Sequence, residues 1–126
     1  FESTIAAQFF GHTHLDEFEV FYDTLNASRP VSIAYIGPSV TPHENLNPGY
    51  RIYYVDDDGD ESTRMVDDHE TWIMNLTEAN LYDSPSWQKS YSVREAYQMA
   101  SLLPKDWDLL IKNMTVNRSL FDLYYK

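Results

Sequence analysis

Apolar residues recur at two different periods along this chain. Up to about Leu76 they alternate with polar ones or form short runs bounded by Gly, Pro, Asn and Asp; from Ser92 onward they recur every three or four positions. Ile5 to Phe10 is an apolar run closed by Gly11, and Glu17 to Tyr22 alternates acidic with apolar side chains, so both are predicted strands. Val31 to Ile36 and Tyr50 to Val55 are rich in β-branched and aromatic residues, which suit a pleated, half-buried surface. Gly37-Pro38-Ser39 and Asn47-Pro48-Gly49 punctuate the loop between them. A fifth strand is predicted over Thr71 to Leu76, reached through the acidic turn Asp56-Asp57-Asp58-Gly59-Asp60-Glu61. A calcium-binding EF-hand loop needs oxygen donors at alternate positions before its Gly, and Tyr54 and Val55 break that spacing. The turn therefore reads as a hairpin tip, since Asp-Gly is a strong turn former.

The last third predicts helices. Ser92-Val93-Arg94-Glu95 has the form of a capping box, and Val93, Ala96, Tyr97 and Ala100 follow on one helical face. Pro104 suits a first helical position, after which Trp107, Leu110, Ile111 and Met114 repeat the spacing; Leu120, Leu123 and Tyr124 mark a further helix. These stripes read as core, and neither an internal repeat nor a low-complexity tract interrupts them.

Composition narrows the function classes. The 126 residues make one domain or part of one, and 43% apolar content is enough for a packed core. With 9 basic and 20 acidic side chains the formal charge is −11, which opposes phosphate backbones, so no nucleic-acid binding is expected. Cysteine is absent, which fits either a reducing compartment or a bridge-free piece of a secreted protein. Four of the seven asparagines, Asn26, Asn75, Asn113 and Asn117, open the glycosylation pattern Asn-x-Ser/Thr. With Ser plus Thr at 19 of 126 residues, chance gives roughly one, and the excess favours a secreted or lysosomal protein. The chain opens on Phe1 with no basic and apolar leader pattern, so it reads as a piece of something longer.

One segment has the look of a reactive site: Gly11-His12-Thr13-His14, directly after the run Ile5 to Phe10. Neutral imidazoles are good zinc ligands, and a Gly before them permits the chain to leave strand geometry so that both point one way. Two surface histidines on a loop give the same spacing. The strand, the Gly and the two histidines together resemble the Gly-His-x-His motif of calcineurin-like metallophosphoesterases. The surrounding sequence, Ala6 to His14, Asp16 to Asp23, Asn47-Pro48-Gly49-Tyr50-Arg51, Asp68-His69-Glu70-Thr71, Asn75-Leu76-Thr77 and Ala79-Asn80, is similar to the acid sphingomyelinase family within that superfamily.

The resemblance implies an α/β (α+β) fold in which residues 1–81 are the C-terminal part of a two-sheet metallophosphoesterase sandwich and residues 82–126 open a helical subdomain, incomplete here. It implies a lysosomal or secreted zinc-dependent phosphodiesterase that hydrolyses sphingomyelin to ceramide and phosphocholine. Two zinc ions complete such a site. His12 and His14 supply one ligand each, and the remaining ligands and the general-acid histidine belong to upstream sequence, so no catalytic acid is expected in this segment. The family's Asp-x-His, Gly-Asp and Gly-Asn-His motifs, its lipid-binding saposin-like module, through which it meets the membrane surface, and its cysteine-rich C-terminus are not among these residues. A polypeptide limited to them is expected to be inactive without the N-terminal part of the same protein. His43 and Asn47 lie in a loop expected near the substrate. His69 is read as a local hydrogen-bonding group with no catalytic role. Asn75 is the glycosylation candidate that coincides with a family position, whereas Asn113 and Asn117, four apart on a predicted helix, would crowd two glycans. Two rival readings share these residues: a nucleotide phosphodiesterase of the acid sphingomyelinase-like branch, and a non-catalytic secreted member that binds lipid.

Overall fold

In a computed structural model, which describes residues 1–57 and 59–125, the chain builds two three-stranded sheets and four α-helices. Strands β1 (Gln8–Phe10), β2 (Glu17–Tyr22) and β3 (Pro30–Ile36) form the first sheet in the order β1-β3-β2. β1 runs parallel to β3, with Phe10 opposite Ile36, while β2 runs antiparallel to it, with Glu17 opposite the same Ile36. The second sheet is an antiparallel meander of β4 (Gly49–Val55), β5 (Val66–Met74) and β6 (Trp87–Ser92). Helices α1 (Leu76–Tyr82), α2 (Val93–Tyr97), α3 (Pro104–Val116) and α4 (Arg118–Tyr124) complete the order.

The core forms where α3 lies on β3 and β2. Ile33 and Tyr35 from β3 meet Val66, Val93, Met99, Leu102, Trp107 and Leu110, with Phe18, Tyr53, Tyr91 and Leu120 packed around them. An aromatic layer joins the two sheets: Tyr35 lies 5.7 Å from Tyr53 and 5.8 Å from Trp107, edge to face in both cases. The period change in the sequence is thus the change from two sheets to the helices, of which α3 lies on the first sheet and α2 against the second.

Several predicted elements shift. The run Ile5 to Phe10 pairs only over its last three residues, because β1 lies at the sheet edge with β3 as its single partner. The fifth strand begins at Val66 and ends at Met74, since Asn75 leaves the strand and caps α1 by accepting a hydrogen bond from the Glu78 N–H. β4 and β5 do form a hairpin, but its tip is long. Asp56 Oδ2 accepts from the backbone and hydroxyl of Thr63, a short 3-10 turn covers Gly59–Glu61, and Gly59 takes φ +63°. Asp58, the other half of the expected turn pair, lies outside the described residues. Trp87–Ser92, within the stretch read as helical, is a strand, and its pairing with β5 carries sheet structure well past Tyr82.

The capping box at Ser92 is replaced by a tertiary cap. Ser92 Oγ donates instead to Asp68 Oδ2 (2.6 Å), and Asp68 Oδ1 accepts from the Arg94 N–H (3.2 Å). Gln98 in the left-handed region ends α2, leaving Ala100 outside the helix. Asn117 is a corner between α3 and α4 rather than a residue on a continuous helix, so the two C-terminal sequons do not share one helical face.

Candidate functional site

The Gly11–His14 segment leaves the end of β1 as a loop whose start is pinned by the Gly37 N–H on Phe10 O (3.0 Å). The turn away from strand geometry is made by the histidines themselves. His12 has φ 85° and His14 φ 65°, while Gly11 stays out of the left-handed region and a Cβ there would meet nothing. Left-handed conformations are costly for residues with a Cβ and concentrate at functional sites. The Leu15 N–H on Thr13 Oγ1 (3.3 Å) is a local hydrogen bond inside this turn.

His14 meets a third histidine across the loop. Its ring lies edge-on to His43, 5.8 Å between centroids, and His12, Thr13, His14, His43 and Leu46 line one cleft of about 280 Å³. His43 opens a 3-10 turn, and the loop carrying it is closed at its base by the Gly49 N–H on Ser39 O (2.8 Å) and the Met74 N–H on Pro48 O (3.0 Å). Gly49 is crowded: a Cβ there would sit 3.0 Å from Pro38 Cβ, so a larger residue would need Pro38 to give way. Asn47 is placed differently. Its side-chain oxygen accepts from the Leu76 N–H (3.1 Å), which ties the loop to the start of α1, and it does not line the histidine cleft.

The donor set fits a metal only in part. Imidazole suits zinc, yet a closed zinc site needs four ligands and a catalytic one at least three protein ligands. Among the described residues no group of three His, Cys, Asp or Glu side chains is placed to hold an ion. The geometry presents two imidazoles from one loop beside an open cleft, and a metal there would need donors beyond these two.

A half-buried polar network beside this loop was not legible in the sequence. Asp16, two residues after His14, pairs with Arg51 Nη2 through Oδ1 and accepts from Thr71 Oγ1 (2.9 Å) and Tyr91 Oη (2.8 Å) through Oδ2. The Arg51 side chain is 3% exposed and also donates to Thr71 Oγ1 (3.3 Å) and Tyr53 Oη (3.4 Å). Burial, and then the Asp16 carboxylate, push the Tyr91 hydroxyl far above its ordinary range. No local spacing relates residues 35 and 75 positions apart, so this cluster emerges only when the loop and the second sheet are brought together.

His69 belongs to the core rather than to a hydrogen-bonding site. It is 1% exposed, stacks on Trp107 at 6.3 Å, and faces Tyr35, Tyr53 and Tyr91 edge-on. Its Nδ1 has no partner, and burial, with the nearby Arg51 charge second, pulls its pKa down to about 2.

The sequon asparagines have structural duties of their own. Asn75 caps α1 and Asn117 caps α4, each through its side-chain oxygen, while Asn26 Oδ1 accepts from the Ser28 backbone and hydroxyl in a turn. Asn113 is exposed within α3. Capping explains why asparagine stands at two of these positions; it does not explain the Ser or Thr two residues later.

The fold and the cleft together define a mixed α/β protein that carries a cluster of imidazoles on the loops beside a strand end. Comparison with known proteins adds the family. Residues 29–126 match the family model described as the acid sphingomyelin phosphodiesterase C-terminal region. The chain is 48% identical over 126 residues to the sphingomyelin phosphodiesterase of Homo sapiens, which covers 99% of this chain and 20% of that protein. It is 43% identical over 132 residues to sphingomyelin phosphodiesterase 2 of Caenorhabditis elegans, covering 100% and 21%. Identity falls to 32% over 130 residues with the acid sphingomyelinase-like phosphodiesterase 3b of Mus musculus, covering 96% and 27%. The chain therefore belongs to the acid sphingomyelin phosphodiesterase family, and it spans about a fifth of the length of these two sphingomyelin phosphodiesterases.

Proposed function

We propose that these residues are part of a zinc-dependent phosphodiesterase that hydrolyses sphingomyelin to ceramide and phosphocholine, and that they complete its active site only together with further sequence of the same protein. The observation that supports this most directly is the pair of imidazoles, His12 and His14, raised on one loop over an open cleft in a chain 48% identical to a sphingomyelin phosphodiesterase. His12 and His14 would each hold one of two zinc ions. The two-sheet arrangement serves as the C-terminal part of a metallophosphoesterase sandwich, with the helices from residue 82 onward as the start of a second subdomain. Bound there, the metals supply charge stabilisation to the phosphoryl oxygens and an activated water. This chain's own part is to fix the two ring nitrogens in place, and His43, edge-on to His14, extends the imidazole wall on the side where a phosphodiester would enter.

The drop from 48% to 32% identity between the sphingomyelin phosphodiesterase and the acid sphingomyelinase-like relative supports the sphingomyelin branch over the nucleotide one. The four sequons support a secreted or lysosomal setting.

The test uses the longer protein containing these residues. Zinc content close to two per chain, with hydrolysis of sphingomyelin exceeding that of a nucleotide phosphodiester, is the expected result. Hydrolysis of the nucleotide alone would move the substrate to the rival branch. A protein with no bound zinc and no hydrolysis of either would be the non-catalytic, lipid-binding form.

A further inference from the structure

We propose that Asp16, locked by Arg51, Thr71 and Tyr91, is a positioning residue for the His12–His14 loop, and that this half-buried network sets how tightly the two imidazoles hold metal. The inference rests on the reading of His12 and His14 as ligands.

The loop needs such an anchor. Two of its residues carry a Cβ in the left-handed region, a state that persists only where the surroundings over-determine it. Its entry is fixed by the first sheet, through β1 pairing with β3 and the Gly37 N–H on Phe10 O. Its exit is fixed at Asp16, immediately before Glu17 begins β2, and here the partners come from the second sheet. Arg51 stands on β4, Thr71 on β5 and Tyr91 on β6, so each strand of that sheet contributes one contact to a single carboxylate. Both oxygens of Asp16 are engaged, and Thr71 Oγ1 accepts from Arg51 Nε while donating to Asp16 Oδ2. The His12–His14 segment is thus clamped between the two sheets, and a change in the second sheet reaches the imidazoles through one side chain. Groups that orient metal ligands from behind change affinity without touching the ion.

Asp16→Asn takes the carboxylate away from Arg51, whose side chain is 3% exposed, and leaves that desolvated charge without its partner, so it disturbs the clamp strongly. Tyr91→Phe deletes one hydrogen bond and keeps the ring in the aromatic layer. Both variants are made in the longer protein, with His14→Ala as the ligand control. The readout is zinc retained at 25 °C as a chelator is titrated in, with thermal melting run alongside to establish that each protein is folded at that temperature.

The expected result is that Asp16→Asn releases zinc at a chelator concentration about tenfold lower than the wild type, within the range of second-layer effects on metal affinity. Tyr91→Phe shifts release in the same direction by a smaller factor. Wild-type zinc retention in folded Asp16→Asn and Tyr91→Phe, whatever happens to their melting temperatures, overturns the proposal and leaves the network as fold stabilisation alone. Should Asp16→Asn not fold, Tyr91→Phe decides by the same criterion. A wild type without zinc, or a His14→Ala protein that holds as much as the wild type, refutes the ligand reading itself and with it the positioning role; loss of zinc in His14→Ala with none in the other two refutes positioning only.

Discussion

His14 and His69 carry the same imidazole into opposite surroundings. His14 sits on a loop in a strained backbone state, beside an open cleft and a second histidine. His69 sits mid-strand, 1% exposed, between Trp107 and three tyrosines, with one nitrogen unpartnered. The first environment sets the ring beside an open cleft and asks the fold to hold the backbone of its loop. The second leaves Nδ1 without a hydrogen bond amid aromatic packing and keeps the ring neutral. Function and stability are therefore separable here, and the sharpest experiments are those that move one without the other.

The largest expected separation lies on the loop. In the longer protein, His12→Ala or His14→Ala should lower kcat/KM for sphingomyelin by about a thousandfold, because losing a metal ligand forfeits several kcal/mol of charge stabilisation and each ~1.4 kcal/mol is a factor of ten. Unfolding free energy should change by no more than about 1 kcal/mol, since neither side chain is part of the core. Steady-state kinetics with a denaturant melt checks both halves. Near-normal turnover in either variant removes that residue from the ligand set.

Trp107→Ala should do the reverse. Its ring is 2% exposed and touches Phe18, Tyr35 and His69, so truncation should cost about 3–5 kcal/mol. Zinc affinity of the fraction that remains folded should stay within about twofold, because the hydrogen bonds and ion pair that hold Asp16 come from Arg51, Thr71 and Tyr91 and not from this ring. A change in metal affinity as large as that of a ligand variant would mean that core and cleft are one cooperative unit.

His69 contributes through pH. Its folded pKa is held near 2 against an ordinary 6.5, so the unfolded chain takes up a proton that the folded chain refuses. The sign follows from linkage: the neutral ring's contribution is fully present above pH 6.5 and is lost as pH falls below it, at about 1.4 kcal/mol per unit. Between pH 7 and pH 5 the wild type should lose roughly 2 kcal/mol more than His69→Phe, which has no proton to gain. The slopes of melting temperature against pH measure this difference regardless of the offset caused by repacking. Parallel slopes would mean that the buried ring is protonated in the folded state.

These contrasts also mark what was legible in the chain. Strands β2 to β4 and helices α3 and α4 followed from spacing and composition, because each is specified by neighbours in sequence, whereas the Gly-His-x-His segment stood out through its resemblance to a known family. Three features did not. The cap on α2 comes from Asp68 rather than Glu95, the Asp16–Arg51 pair joins residues 35 apart, and β6 exists because β5 offers it an edge. Each depends on a partner delivered by tertiary structure, which local propensity cannot encode. His69 reads as polar in a one-letter pattern and proves buried because four aromatic rings converge on it.

The smallest effect is at Asn75, where one residue serves two readings. Its side-chain oxygen caps α1 on the Glu78 N–H at 3.2 Å, while its nitrogen is the atom a glycan would use. Asn75→Asp keeps an oxygen acceptor and adds a negative charge at the helix N-terminus, so the cap survives, but it removes the acceptor of the sequon. Asn75→Ala removes both and should cost about 1 kcal/mol through the lost cap. Comparing the two variants, expressed through a secretory pathway, divides the residue's duties. Loss of glycan mass in both with destabilisation confined to Asn75→Ala identifies an occupied sequon on a structural cap. No change in mass in either variant, with the same stability difference, leaves only the cap, and the count of sequons then loses its strongest member as support for a secreted protein.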